Sequence, residues 1–117
     1  MGKMKVSIVL PAKNESAAVG ATVAFIRGVL PDAEIVVVND GSTDETGEVA
    51  RAAGARVISH PYSKGNGAAI KTGARAACGD VLILMDADGQ HAPSDIPRLL
   101  EALRDGHDLV VGARTNG

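Results

Sequence analysis

Five short apolar runs alternate along the chain with stretches that have one apolar and one polar side, and this alternation restricts the fold more than any other feature. Four of the runs are nearly continuous and rich in β-branched residues, which is typical of strands buried on both faces of a parallel sheet. Pro11 is expected to end the first run. The runs cover residues 6–10, 35–38, 55–58, 81–85 and 109–111.

Helical spacing fills the intervals between the runs. The first helical stretch has apolar residues at intervals of four, three and four, at Val19, Val23, Ile26 and Leu30. Ser42 and Glu45 are spaced as a capping box that would open a second helix, with Gly54 placed to end it. Residues 68–77 are predicted to form an alanine-rich third helix, and residues 96–103 a fourth. With right-handed crossovers, this order predicts an α/β fold, an open, doubly wound, mainly parallel sheet with helices on both faces.

The amino-acid composition excludes several functions for a chain with this fold. The 117 residues suit one domain, 1–117, whose core must be aliphatic because only 2% of the residues are aromatic. A net charge of -2 and the scarcity of stacking rings exclude a nucleic-acid binder that works by bulk positive charge. The single cysteine, Cys78, excludes a disulfide framework and is interpreted as a small buried hydrophobe. No apolar run approaches a membrane span, so a cytoplasmic location is expected.

Polar residues collect directly after the predicted strands. In a doubly wound sheet, ligands bind beyond the carboxyl ends of the strands, so these segments are expected to share one edge. They are residues 11–15, 39–44, 60–67, 86–91 and 112–114. His60 and His107 are interpreted as ordinary surface or loop histidines.

Asp86 and Asp88 are the strongest candidates for metal chemistry. Two carboxylates one residue apart at the end of a buried strand can converge on a hard divalent cation, and Gln90 could add a neutral oxygen. Such an ion would bridge the phosphates of a nucleotide and neutralise a leaving diphosphate. From these residues alone, a polar turn before a helix that begins near Ser94 is an equal alternative.

Three further segments hold candidates for nucleotide contacts, and the first two have a structural alternative. Asp40 could accept hydrogen bonds from a base or ribose, or could lie in a turn before a helix capped by Ser42. Glu15 is by default a solvated carboxylate at a helix start. Lys64 and Gly65 precede the alanine-rich helix, where the backbone can approach a phosphate and the lysine supplies charge.

Taken together and in order, these segments resemble a GT-A-type glycosyltransferase of family 2 over nearly the whole chain. Residues 7–15 match the opening strand and its Pro-x-x-Asn-Glu motif, residues 36–44 the second signature, and residues 86–88 the metal-binding D-x-D motif. Residues 64–67 and 89–93 are most similar to the polyprenyl-phosphate (dolichol-phosphate) mannosyl- or glucosyltransferase branch. Asn39 departs from the many relatives that have aspartate there.

The resemblance implies a role for each matching residue. Pro11, Ala12 and Glu15 would line the nucleotide pocket, and Asp40 would hold the base. Asp86 would lie by the ribose or the metal. The ligands of Mg²⁺ or Mn²⁺ on the diphosphate would be Asp88 and Gln90, together with Asp86. The residues implied in catalysis are Asp88 and Arg114, the latter near the acceptor or donor phosphate.

The resemblance also implies a reaction and partners. A hexose would pass with inversion from a UDP- or GDP-hexose to a polyprenyl-phosphate or similar acceptor. A lipid phosphate is already an anion and needs no general base. Residues 1–117 are expected to be the donor-binding part, with the acceptor-binding half absent after Arg114. A location peripheral to the cytoplasmic membrane face, and a homo-oligomer that covers an exposed sheet edge, are further expectations.

Three other interpretations are kept open. Asp86-x-Asp88-Gly89 also suggests a phosphoryl-transfer enzyme of the haloacid-dehalogenase type, although that motif normally follows the first strand. A receiver-like domain would need an acidic pair after the first strand, where Lys13 and Asn14 precede Glu15. A nucleotide-binding module without transferase activity would bind a nucleoside diphosphate and metal but turn over no nucleotide sugar.

Overall fold

The chain folds into a parallel sheet flanked by helices. The structure is a computed structural model that describes residues 5–85, residue 87 and residues 109–111. The predicted helix at residues 96–103 lies outside this part. The elements are β1 (Val6–Ala12), α1 (Val19–Val29), β2 (Glu34–Asp40), α2 (Thr46–Ala52), β3 (Arg56–His60), α3 (Asn66–Ala76), β4 (Val81–Leu84) and β5 (Leu109–Val111).

The five described strands form one sheet in the order β3-β2-β1-β4-β5, and every neighbouring pair is parallel. Ile8 of β1 pairs with Ile35 of β2 on one side and with Ile83 of β4 on the other. The chain runs outward from β1 through β2 to β3 and then returns to β4 across β1. The carboxyl ends of β1 and β4 therefore form a switch point, where such sheets bind ligands.

The core has two layers because successive strand residues point to opposite faces of the sheet. On one face of the sheet, Ile35 and Val37 of β2 pack against α1 and α2. On the other face, Val36 and Val38 pack against Ala69 of α3. This arrangement explains the continuous apolar runs, and it confirms the predicted doubly wound sheet with helices on both faces. The predicted face of the first helix is confirmed at Val19, Val23 and Ile26, which are fully buried. Leu30, the fourth residue of that face, follows the end of α1 and is half-buried against the same core.

Pro11 does not end β1, as the sequence had suggested; the strand continues to Ala12, and Pro11 is in register with Val38. The carbonyl of Val9 accepts a hydrogen bond from the backbone N–H of Met85, so the backbone groups of Val9 point toward β4. Those of residue 11, two positions on, point the same way. The β1–β4 pairing ends at Val9, so a backbone N–H at residue 11 would have no partner in β4, and proline costs the sheet no hydrogen bond there.

The predicted capping box at Ser42 and Glu45 is wrong. The Ser42 hydroxyl accepts from the backbone N–H of Asn14 at 3.0 Å, and α2 begins at Thr46 with no side-chain cap bond from Glu45. Instead, the Asp44 carboxylate accepts from the backbone N–H of Thr46 at 3.0 Å.

Cys78 is exposed and not a buried hydrophobe, because it lies in the connection between α3 and β4 at the amino-terminal edge of the sheet. Its backbone N–H donates to Glu34 Oε1 at 2.8 Å, and the hydroxyl of buried Ser7 donates to the same oxygen at 2.7 Å. Burial alone raises the pKa of Glu34, but these hydrogen bonds, with the charges of Lys5 and Arg56, outweigh it and lower that pKa.

Candidate functional site

A cavity of about 180 Å³ opens at the carboxyl edge of the sheet, between the ends of β1 and β2 and the start of α3. It is lined by Pro11, Ala12, Lys13, Asp40, Asn66 and Ala69. Another cavity, of about 150 Å³, lies at the opposite edge beside Leu30 and Ala33, and Asp32 is the only charged side chain among the described residues that line it. The first cavity coincides with the ligand-binding edge of such sheets and is the candidate site.

Asp40 is the polar centre of this site and accepts four hydrogen bonds. Its Oδ1 accepts from Nδ1 of His60 at 2.7 Å and from the backbone N–H of Lys64 at 2.8 Å. Its Oδ2 accepts from the hydroxyl of Ser63 at 2.9 Å and from the backbone N–H of Gly65 at 3.0 Å. The carboxylate at the end of β2 thus holds the connection between β3 and α3.

The protonation state of Asp40 follows from these contacts. Its side chain is 7% exposed, and burial alone raises its pKa because it disfavours the charged form. The hydrogen bonds from His60, Lys64, Ser63 and Gly65 outweigh burial and hold the pKa of Asp40 well below its usual range. Asp40 is therefore ionised at neutral pH.

The environment of His60 differs from the one that the sequence suggested. It ends β3 with a side chain that is 7% exposed, and it is not an ordinary surface or loop histidine. Because ionised Asp40 can only accept, Nδ1 of His60 carries the proton between them. The other ring nitrogen, Nε2, lies 2.8 Å from Oγ1 of Thr72 in α3. The sequence signal was its position directly after the third apolar run.

The loops after β1 and β2 are joined by hydrogen bonds that position residues 11–15. Asn14 adopts a left-handed conformation, with φ of 54°, and its Oδ1 accepts from the backbone N–H of Thr43 at 2.8 Å. The backbone N–H of Glu15 donates to Oγ1 of Thr46 at 2.9 Å, and that of Ser16 donates to Asp44 at 3.2 Å. The Pro-x-x-Asn-Glu segment is thereby tied to the segment that follows Asp40.

Gly41 allows the loop after β3 to approach the end of β2. Its φ is +68°, and a Cβ at this position would lie 2.3 Å from the backbone nitrogen of Ser63. Any other residue would therefore combine backbone strain with a clash against main-chain atoms.

The start of α3 faces the same edge of the sheet. Gly65 precedes the helix with φ of +99°, and Asn66 begins it and lines the cavity. The first backbone N–H groups of a helix lack partners within the helix and favour an anion. The ammonium group of Lys64 lies 5.4 Å from the centroid of the Tyr62 ring.

Five of the predicted nucleotide-binding residues lie at or next to this cavity. Pro11, Ala12 and Asp40 line the cavity, while Lys64 and Gly65 are bound to Asp40 through their backbone. Glu15 is half-buried at the start of the segment that precedes α1, and its carbonyl accepts from Ala18 and Val19.

The predicted metal and catalytic positions lie outside the described residues. These are Asp86, Asp88, Gln90 and Arg114. Met85, which ends the continuous described stretch, donates its backbone N–H to the carbonyl of Val9 in β1. Within the described part of the chain, no group of three histidine, cysteine or acidic side chains could hold a metal ion.

Among the helices of residues 5–85, none has the length and apolar character needed to cross a membrane.

Comparison with known proteins gives a consistent result. The family model described as glycosyl transferase family 2 matches residues 7–117. A dolichol-phosphate mannosyltransferase of Pyrococcus furiosus is 39% identical over 117 residues, which is 95% of this chain and 33% of the relative. An undecaprenyl-phosphate mannosyltransferase of Micrococcus luteus is 40% identical over 119 residues, 95% of this chain and 49% of the relative. The chain therefore spans between one third and one half of the length of these relatives.

Solved structures agree with the sequence relatives. Glucosyl-3-phosphoglycerate synthase from Mycobacterium tuberculosis, in complex with Mn²⁺, UDP-glucose and phosphoglyceric acid, superimposes with a TM-score of 0.74 at 31% identity. The match covers 89% of this chain and 40% of that chain. The same synthase has also been solved with Mg²⁺ and UDP, with a TM-score of 0.72 and 31% identity. The predicted GT-A-like α/β fold is confirmed.

Proposed function

The chain belongs to glycosyl transferase family 2, and on this basis we propose that it is a domain that binds a nucleotide-sugar donor. It would serve transfer of a hexose, with inversion, to a polyprenyl-phosphate or similar acceptor. The family assignment decides against the haloacid-dehalogenase and receiver interpretations.

One observation carries the proposal. The carboxyl ends of β1 and β2 and the start of α3 meet around a single cavity, at the edge where doubly wound sheets bind ligands. The UDP-glucose complex of the structurally similar synthase and the mannosyltransferase relatives support a nucleotide sugar as the ligand.

The residues have distinct proposed roles. Pro11, Ala12 and Glu15 would form the nucleotide wall at the end of β1, with Asp40 at the end of β2. Lys64 and Gly65 would lie at the phosphate end, because the start of α3 favours an anion. In the segments outside the described residues, the catalytic roles are proposed for Asp88 and Arg114.

The proposal includes a divalent cation, and its proposed ligands lie outside the described residues. Mg²⁺ or Mn²⁺ held by Asp86, Asp88 and Gln90 would neutralise the charge of the leaving diphosphate. In the transfer, an oxygen of the acceptor phosphate bonds to the anomeric carbon, and the bond between that carbon and the diphosphate breaks. The acceptor oxygen carries no proton to be removed, so no general base is required of this chain. An acceptor of this kind is held in a membrane, so the site would work at a membrane surface.

Calorimetric titration tests the donor site directly. The chain is titrated with UDP, GDP and their hexose conjugates, with and without Mn²⁺. We expect one nucleoside diphosphate to bind in a Mn²⁺-dependent manner. Asp88→Ala should weaken that binding on the order of tenfold or more, since even indirect supports of a metal site are worth that much.

Asp32→Ala is the matched control, because Asp32 is an exposed aspartate at the opposite edge of the sheet. It should leave the affinity unchanged. The proposal is wrong if no nucleotide binds, or if Asp88→Ala behaves like Asp32→Ala.

A nucleotide-binding module without transferase activity is the second candidate. The observation in its favour is that the described cavity is lined by Pro11, Ala12 and Asp40, which are residues proposed to bind the nucleotide. Incubation with the nucleotide sugar that binds and a polyprenyl phosphate separates the two, because only the transferase forms a glycosylated lipid.

A further inference from the structure

We propose that His60 is a positioning residue for the nucleotide site, acting through Asp40 on the loop formed by residues 61–65. This inference rests on the proposed function and identifies how the phosphate end of that site is held in place. It gives Asp40, which also lines the cavity, the role of an anchor for this loop.

The imidazole of His60 connects three elements of the site. It belongs to β3, its Nδ1 donates to Asp40 at the end of β2, and its Nε2 meets the hydroxyl of Thr72 in α3. The hydroxyl can rotate to donate or accept, so the pair is satisfied whichever way the proton lies. Both ring nitrogens are therefore used inside the protein, with the side chain only 7% exposed.

Asp40 has little capacity left for a ligand. A carboxylate offers about four lone-pair positions, and four protein donors already occupy them. Three of the donors come from one short stretch, at Ser63, Lys64 and Gly65. The principal contacts of Asp40 are thus with the loop and with His60.

The contacts of the loop with the other described residues are few. Residues 61–67 are all exposed, so apolar packing within the described part of the chain contributes little to their order. The backbone of Ser63 lies close to Gly41, and the carboxylate of Asp40 accepts hydrogen bonds from Ser63, Lys64 and Gly65. His60 donates a hydrogen bond that orients that carboxylate, so its loss would loosen the loop that carries Lys64 and leads into Asn66.

Substitutions at His60 and Thr72 separate the contacts. His60→Leu removes both hydrogen bonds and keeps an apolar side chain, whereas His60→Asn keeps an N–H group near the position of Nδ1. Thr72→Val removes the hydroxyl without changing shape, and Thr72→Ser is its matched control because it keeps the hydroxyl.

The first readout is amide hydrogen exchange by NMR in the ligand-free chain. We expect His60→Leu to raise the exchange rates of the Lys64 and Gly65 amides. His60→Asn should restore part of their protection, and Thr72→Val should have a smaller effect than His60→Leu. Fast exchange confined to these amides, with protection in β1 and β2 retained, separates loss of the loop from general unfolding.

The second readout is the affinity for UDP and GDP in the presence of Mn²⁺. If the loop is ordered in about one tenth of His60→Leu molecules, the apparent affinity falls about tenfold. Loop positioning predicts the same factor for whichever of the two nucleotides bind, since the loop leads to the proposed phosphate end of the site, which UDP and GDP share. A loss that differs between the two bases overturns the proposal, as does unchanged exchange at Lys64 and Gly65. If the unmodified chain binds no nucleotide, the proposed function fails, while the amide exchange still decides whether His60 orders the loop.

Discussion

Replacing Gly73 with alanine tests how α3 is seated on the sheet. A Cβ added to Gly73 would lie 2.3 Å from Cγ1 of Val9 and 3.2 Å from Cγ2 of Val38. Carbon atoms in ordinary contact are about 3.5–4.0 Å apart. Both valines are fully buried and β-branched, so neither can rotate away, and α3 must move outward by about 1 Å.

The expected magnitude combines two opposing effects. Overpacking of this kind costs about 1–3 kcal/mol, whereas alanine in place of glycine inside a helix gains up to about 1 kcal/mol. Gly73→Ala should therefore lower the free energy of unfolding by about 1 kcal/mol. Urea unfolding followed by far-UV circular dichroism measures this in a chain that has no tryptophan.

Gly28→Ala is the matched control, since a Cβ at Gly28 would meet nothing within 4 Å. This variant should gain stability, by up to about 1 kcal/mol. Because α3 carries Asn66 and Ala69 of the cavity, Gly73→Ala should also weaken nucleotide binding, while Gly28→Ala should not. If Gly73→Ala proves as stabilising as Gly28→Ala, the close approach of α3 to the sheet is refuted.

Two further predictions concern the edges of the sheet. Ser7→Ala should lower the free energy of unfolding by about 1–3 kcal/mol, because the hydroxyl of buried Ser7 donates to Glu34 and accepts from the backbone N–H of Gly79. Urea unfolding measures this, and an unchanged free energy would contradict the prediction. The hydrogen bond from Thr46, with those from Ser16, lowers the pKa of Asp44 to about 2, so the folded state favours the carboxylate. Its contribution to stability is present above the ordinary aspartate pKa of about 3.9 and is lost as the pH falls through about 2. Thermal unfolding between pH 5 and about 2 should therefore decline less steeply for Asp44→Asn than for the unmodified chain, and parallel curves would count against the prediction.

Much of the candidate site could be anticipated from the positions of polar residues in the chain. Pro11, Ala12 and Asp40 follow or end apolar runs, and parallel strands bring their carboxyl ends to one edge, where these residues line the cavity. Their roles toward a nucleotide, like those of Asp86, Asp88, Gln90 and Arg114, stay predictions. The expected homo-oligomer also stays a prediction.

The amino-acid sequence alone determined the fold class. The spacing of apolar residues indicates whether a strand is buried on one face or on both. The strand at residues 109–111 was predicted with the bounds that the structure has. The buried positions Val19, Val23 and Ile26 of α1 were also predicted correctly. Near-continuous β-branched runs separated by helices are compatible with few architectures other than a parallel sheet covered on both sides.

Only the tertiary structure decided where strands end and which polar groups meet. Pro11 continues β1 because the β1–β4 pairing ends at Val9, and Cys78 is exposed because its connection lies at the sheet edge. Asp40 meets His60, 20 residues later, because β2 and β3 are adjacent in register. Local patterns of hydrophobicity indicate whether a residue is buried, but they do not identify the residue that it meets on another strand. The contact with Asp40 makes His60 part of the candidate site instead of a surface histidine.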